Sequence, residues 1–455
     1  MSGQVSVDDF EGTDLVLQVF HTKKGFCMRL NFAFARKVAV GLIAVGSLAC
    51  FATDTFAANR TWTSSNINSY RAKWGTGFAS NWAGNIVPTT ADIATFGTNA
   101  FGQYALQVQP GTVVGGVRYN NTGANSYVFG TSTLGVGSFG INNQSGRQQT
   151  LGTTSLLADQ TWSGGASASI VANNTDLNGV NLTTSTDVTL NTLNNTGGTS
   201  LVTVAGGNTV VAGGGPLATV NFSVTSGFLG TQNISGGSGF DSSASNLDVS
   251  GTGTYNNTIV SSVAGDTNWN LVTMSAGTID TMGTGGNLVT NGYTQTGGLL
   301  KQYVGYDSGL GVLTNSSVQA TDGAGAPTGP LSFGGSLDID FAAAGAQAFA
   351  IGTTWNLFQG VNAGGAAASN FSIALLDNVD ASSPYAGLSF SRYGTEWLTP
   401  KGTDGTYLVF QAQSGNLVVV PEPSTMVFAG LGVAMSGWTM WKKRRLSKLL
   451  AAKAG

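Results

Sequence analysis

Between residues 58 and 420 the apolar positions come in short bursts of a few residues, each bounded by Gly, Asn or Ser. Ser200-Leu-Val-Thr-Val204, Asn208-Thr-Val-Val211, Ala218-Thr-Val-Asn-Phe222 and Asn256-Asn-Thr-Ile-Val-Ser261 are examples. Each reads as a short strand between turn signals, and nothing in this stretch sustains a helical period. Many very short strands at close spacing predict an all-β chain whose body is a parallel β-helix or similar solenoid. In such a coil Val, Leu and Ile point inward, Thr, Ser and Asn face water, and Asn and Gly take the left-handed corners. No fixed repeat length stands out, so a pair of β-sandwich domains remains the alternative.

The pattern changes after about residue 330. Segments become longer and more aromatic, as in Ser336-Leu-Asp-Ile-Asp-Phe341, Thr354-Trp-Asn-Leu-Phe358 and Tyr407-Leu-Val-Phe410. Period-two alternation puts Leu337, Ile339 and Phe341 on one face of the first and Asp338 and Asp340 on the other. Residues 331–418 are expected to form a β-rich cap or small sandwich that shields the last rung from edge pairing.

Two uncharged runs flank this body. Met28 opens a basic segment with Arg29, Arg36 and Lys37, Val38 to Phe51 carries no charge, and Thr55-Phe56-Ala57 precedes Ala58. This is the order of a signal peptide over 28–57, with a helical core and cleavage between Ala57 and Ala58. Residues 1–27 resemble neither a leader nor a domain, and translation is expected to begin at Met28. At the other end, Pro421-Glu422-Pro423 is followed by the uncharged run Met426 to Trp441, and then by Lys442, Lys443, Arg444 and Arg445. A helix over that run spans roughly 24 Å, a little short of a ~30 Å hydrocarbon core. Trp438 and Trp441 suit the interface, and the basic cluster acts as a cytoplasmic stop. Residues 446–455 then form a cytoplasmic tail.

The tail over 419–445 resembles the PEP-CTERM sorting signal of bacterial exported proteins: the proline-flanked glutamate, the apolar helix and the basic stop occur in that order. The resemblance implies transient insertion in the inner membrane, recognition by an exosortase, and release or re-attachment at the cell surface or in the extracellular matrix. Proteins with such tails tend to accompany exopolysaccharide production, which makes exopolysaccharide a candidate partner.

Composition narrows the chemistry. His21, Cys27 and Cys50 are the only His and Cys residues, and all precede the cleavage point. A processed chain therefore has no disulfide, no Cys/His zinc set and no Cys–His or Ser–His–Asp machinery. From Ala58 to Val420 there are 8 Lys and Arg against 16 Asp and Glu, unsuited to a nucleic-acid backbone. Gly supplies 67 of 455 residues and Pro only 9, with β-branched residues too regular for a flexible linker. No cofactor or metal is expected.

A second resemblance covers about 60–330. Arg60-Thr61-Trp62, Trp74-Gly75, Asn81-Trp82, Pro88, Asp92 and Phe96, then Gly116-Val117-Arg118-Tyr119-Asn120-Asn121 and Gln160-Thr161-Trp162, resemble autotransporter-associated β-strand-repeat proteins. It implies a β-helical, passenger-like stalk over 58–330. The tail has no alternating barrel strands, so self-secretion through a membrane β-barrel is not expected. Physically, Trp62, Trp74 and Trp82 read as a cluster sealing the first rung; functionally, they read as platforms for sugar rings.

Asp338 and Asp340 are the best carboxylate pair, roughly 6–7 Å apart on one strand, a separation that suits paired glycosidase acids or a calcium site. No third acid, Arg or Lys stands close to them in sequence, so a solvated polar face is the expectation. Glu396 beside Trp397 sits in a loop-like stretch and is weaker still. No catalytic residue is assigned. The sequence points to a non-enzymatic exported surface or matrix protein, with a surface-displayed polysaccharide lyase or glycoside hydrolase as the alternative.

Overall fold

The computed structural model describes residues 3–6, 15–22, 25–32, 57–63, 72–74, 77, 79–97, 104–120, 126–130, 132–214, 219–231, 242, 244–256, 267–281, 283, 286–320, 331–359 and 371–422. From Ala58 the chain winds as a parallel β-solenoid with three faces visited in a repeating order. The first face runs from Ala58–Trp62 and Asp92–Phe96 to Leu331–Ser332, and the second from Ala72–Trp74 to Ile373–Asp377. Early rungs build the third face from residues 112–114, 134–136, 153–156 and 174–176. Later ones build it as a separate sheet of Thr267–Trp269, Asn287–Thr290, Ser317–Gln319 and Phe358–Gln359. The sandwich alternative for the body is thereby set aside.

One turn takes about 20–25 residues over the middle of the coil: Val204 lies beside Val224, Val224 beside Val249 and Val249 beside Met274. These side chains are buried, as are Val202, Phe222, Leu247, Val272 and Tyr293, which stack in register one position set away. Each strand is too short to hold itself together. Burial of like residues above and below, at the ~4.8 Å strand spacing, makes the stack cooperative. Outside the core, Asn side chains link rungs: Asn270 donates to Asn246 Oδ1 at 3.0 Å, and Asn291 to Asn270 Oδ1 at 3.2 Å.

The glycine excess has a specific location. Gly207, Gly227, Gly277, Gly298 and Gly335 occupy the corner between the first and second faces, all with φ between 65° and 76°. A Cβ on Gly227 would meet the carbonyl oxygen of Gly207, and one on Gly335 that of Gly298. Left-handed backbone and close stacking both demand glycine here.

Trp62, Trp74 and Trp82 close the first end. Trp82 packs edge-on to Trp62 at 5.0 Å and to Trp74 at 5.3 Å, with Phe96 and Phe129 against them. All three indoles are buried, so they form a plug and present no platform to a sugar.

The far end differs from the expected boundary at 330. The solenoid continues through Ser336–Ala343 and Ile373–Asp377, which pair in parallel with each other. The cap is a five-stranded antiparallel sheet of Thr354–Asn356, Asn416–Pro421, Thr406–Gln411, Glu396–Leu398 and Ser391–Tyr393. Glu396 lies in a hairpin here, not in a loop.

Residues near the start depart from the expected signal helix. Gly3–Ser6, Leu15–Thr22 and Gly25–Phe32 form an antiparallel sheet, so Met28 and Arg29 lie in a strand. Over 26–32 Phe, Met, Leu and Phe alternate with Cys, Arg and Asn, and Lys23-Lys24-Gly25 interrupts the apolar residues before them, a pattern that suits a pair of strands better than a helix. The uncharged run Val38 to Phe51 and the tail from Pro423 onward lie outside the described residues. Among the described residues no helix is long and apolar enough to cross a membrane.

Candidate functional site

Aligning rungs on the corner glycine brings three charged residues to one position. Gly277, Gly298 and Gly335 are each followed three residues later by Asp280, Lys301 and Asp338, which are register neighbours on the second face. Two positions on, Tyr303 lies beside Asp340 and Asp340 beside Asp377. The alternation of Ser336–Ala343 holds, with Leu337, Ile339 and Phe341 buried in the core and the two aspartates pointing away from it.

These aspartates do not meet solvent, contrary to expectation: Asp338 is 5% exposed and Asp340 2%. Lys301 Nζ lies 2.9 Å from Asp340 Oδ2 and 3.9 Å from Asp338 Oδ2. Asp340 also accepts from Asn378 Nδ2 at 2.6 Å and from the Ala342 amide at 2.8 Å. Tyr303 donates to Asp280 Oδ2 at 3.2 Å, and its ring centre lies 5.4 Å from the Lys301 ammonium. The sequence interval hides this group, because a rung-to-rung neighbour here is some 21 to 37 residues away.

The two carboxyls are driven apart. Burial pushes Asp338 up to about 6, with Lys301 opposing and Asp377, Asp340 and Asp280 adding to the rise. Its Oδ1 has no hydrogen-bond partner. Burial acts on Asp340 in the same sense, but the Ala342 amide, Lys301 and Asn378 outweigh it and hold this carboxyl below its usual range. Lys301 is held above its ordinary value: burial alone would lower it, and the aspartates, Asp340 foremost, overcome that. One neutralisable acid beside one fixed carboxylate is the electrostatic pattern of an acid–base pair. Here both carboxyls are enclosed, and a lysine bridges them. Among the described residues no set of three or more His, Cys, Asp and Glu side chains is placed to hold a metal ion, so the calcium reading of the aspartate pair gains no support.

The predicted processing residues lie elsewhere. Ala57 is half-buried just ahead of the solenoid, and Ala58 opens its first strand, beside Asp92. Pro421 ends the last strand of the cap, beside Thr406, and Glu422 pairs with Lys401 at 2.7 Å. Pro423 and the basic residues Lys442, Lys443, Arg444 and Arg445 fall outside the described residues. The chain matches no protein-family model, no curated protein and no solved structure.

Proposed function

We propose that this is a non-catalytic exported protein whose solenoid serves as a rod at the cell surface or in the extracellular matrix. A leader over 28–57 delivers it, and an exosortase processes it at the Pro421-Glu422-Pro423 tail. One observation carries the reading: the solenoid's first strand begins at Ala58, and the cap's last strand ends at Pro421. Cleavage at Ala57–Ala58 and beyond Pro421 removes both uncharged runs without cutting a strand of this body. A rod with sealed ends and a sparsely charged, hydroxyl-rich exterior suits a presenting scaffold. Deleting Met426 to Gly455 is expected to move the protein from the membrane fraction to the periplasm or medium. Unchanged membrane retention of the truncated chain would defeat this reading.

The second reading, a displayed polysaccharide-cleaving enzyme, is favoured by the separated titration of Asp338 and Asp340. Enclosure of both carboxyls weighs against it, since a glycosidase acid must reach its substrate's bridging oxygen. Measuring reducing-end release from a broad polysaccharide panel by the full-length protein, with Asp338→Asn and Asp340→Asn alongside, discriminates the two. Cleavage that disappears in the variants would replace the scaffold reading with the enzymatic one.

A further inference from the structure

The exterior of the solenoid is not uniform. On its third face lies a trough of about 450 Å³ lined by Thr133, Thr153, Ser155, Asn174, Asp176 and Thr196, among others. Two outward columns form its floor. Thr133, Thr153 and Asn174 are successive register partners, as are Gly135, Ser155, Asp176 and Asn194.

The second column changes character along the axis. It begins with Val113, paired with Gly135. A Cβ on Gly135 would lie 2.8 Å from Val113 Cγ1 and 2.9 Å from Leu157 Cδ1, so these two side chains close over the bare glycine. Both are exposed, Val113 to 39% and Leu157 to 43%. The result is an apolar ledge continuous with a hydroxyl, amide and carboxylate floor. Four strand steps separate Val113 from Asn194, roughly 19 Å at the usual spacing.

Asp176 is set in place for hydrogen bonding. It accepts from the Thr196 hydroxyl at 2.6 Å and from the amides of Thr196 and Asn178 at 3.0 Å each. Burial favours its neutral form, but these donors prevail and hold the carboxyl below its usual range. Asn194 Nδ2 donates to Asn174 Oδ1 at 2.9 Å, which fixes both amides. The lining contains no Lys or Arg, so it offers nothing to an anionic ligand.

We propose that this trough binds a neutral oligosaccharide or polysaccharide segment lying along the solenoid axis. Sugar rings combine apolar C–H faces with hydroxyl edges. The ledge of Val113 and Leu157 suits the first, while Thr133, Thr153, Ser155, Asn174 and Asp176 suit the second. The fixed carboxylate accepts from a sugar hydroxyl, and the threonine hydroxyls both donate and accept. This deepens the matrix reading by giving the candidate exopolysaccharide partner a place and a charge class, and it rests on that reading only for its biological setting.

The test is affinity electrophoresis of the full-length protein, in mild detergent, through gels containing dextran, galactomannan or xyloglucan, with alginate as the anionic probe. Retardation by at least one neutral polysaccharide and none by alginate is expected. Ser155→Arg fills the trough and Asp176→Ala removes its fixed acceptor; each is expected to weaken binding about tenfold or more. Thr183→Arg, at an outward position of the first face, is expected to leave binding unchanged, and thermal unfolding of each variant establishes that it is folded. No retardation by any of the neutral polysaccharides, retardation by alginate, or equal loss in Thr183→Arg and a folded Ser155→Arg would each overturn the assignment. A negative result leaves export untouched, because the tail deletion tests that independently.

Discussion

The two ends of the solenoid face the same hazard, an exposed rung that invites another chain to pair, and they meet it with different chemistry. At the first end the closure is entirely aromatic. Trp62, Trp74, Trp82, Phe96 and Phe129 pack with ring centres 5.0 to 5.9 Å apart, and the buried indole nitrogens of Trp74 and Trp82 have no hydrogen-bond partner. The second end has aromatic packing too: Phe333 lies 4.5 Å from Phe358, and Phe341 5.8 Å from Trp355. There, however, an antiparallel sheet covers the coil, and the charged cluster around Lys301 lies on the outer side of the final rungs. Packing dominates the first end, whose enclosed Asp92 pairs with Arg60 at 3.2 Å, is held below its usual range and so responds only to strong acid. The second end carries an acid raised to about 6 and should respond near neutrality.

The largest test of that contrast is Trp74→Ala, which opens a cavity in the plug. Loss of about 3–5 kcal/mol is expected in denaturant unfolding followed by circular dichroism, with no change in pH dependence. A loss below about 1 kcal/mol would mean that the plug is incidental to the stability of the coil. At the other end, Lys301→Met leaves Asp338 and Asp340 enclosed without their cation. The expected loss is about 3 kcal/mol, most of it regained when Asp338→Asn and Asp340→Asn are added. Failure of the triple variant to recover would show that Lys301 acts through packing of its stem and not through charge.

A smaller effect distinguishes the ends by pH. Asp338 has its folded value raised to about 6, so its ionised form disfavours the fold at neutral pH. That penalty is full above pH 6 and is relieved as pH falls towards the ordinary carboxylate value. Asp340, Asp92 and Asp176 are shifted the other way, and their contributions persist until pH drops below that value. Stability is therefore expected to rise by about 1 kcal/mol between pH 7 and pH 5 and then decline in stronger acid. Asp338→Asn should flatten the rise, whereas Trp74→Ala should preserve it. The smallest effect is expected at Lys401→Ala, which breaks an exposed pair with Glu422. Its unfolding midpoint should stay where it is, because water and salt screen such a pair.

Much of the architecture was legible in the residues, and its limits are instructive. Short bursts of Val, Leu and Ile between Gly and Asn pointed to a coil of small strands, and three early tryptophans to a seal at its start. The repeat was missed because its length varies while its corner does not. Val224, Met274 and Gln295 each stand three residues before a left-handed glycine, and Leu229, Ile279 and Leu300 two residues after it. A left-handed glycine with Leu or Ile two residues on, at Gly277, Gly298 and Gly335, marks the corner where no fixed period does, and it places Asp280, Lys301 and Asp338 in one column. The strands over 15–32 were not legible for another reason: the basic residues after Met28 also fit the opening of a leader, and the same stretch carries the pairing of Leu15–Thr22 with Gly25–Phe32.

By itself the sequence determined that this is an all-β chain with apolar stacks within and hydroxyls without, and that its described body uses neither Cys nor His. Local chemistry suffices for that, because strand alternation and left-handed corners are properties of a few adjacent residues. Only the tertiary structure decided that Asp338 and Asp340 are enclosed with Lys301, and that a neutral trough opens beside Gly135. Both depend on which residues lie above and below one another. In a solenoid that neighbour is a full turn away along the chain, at a distance set by loops whose lengths differ from rung to rung.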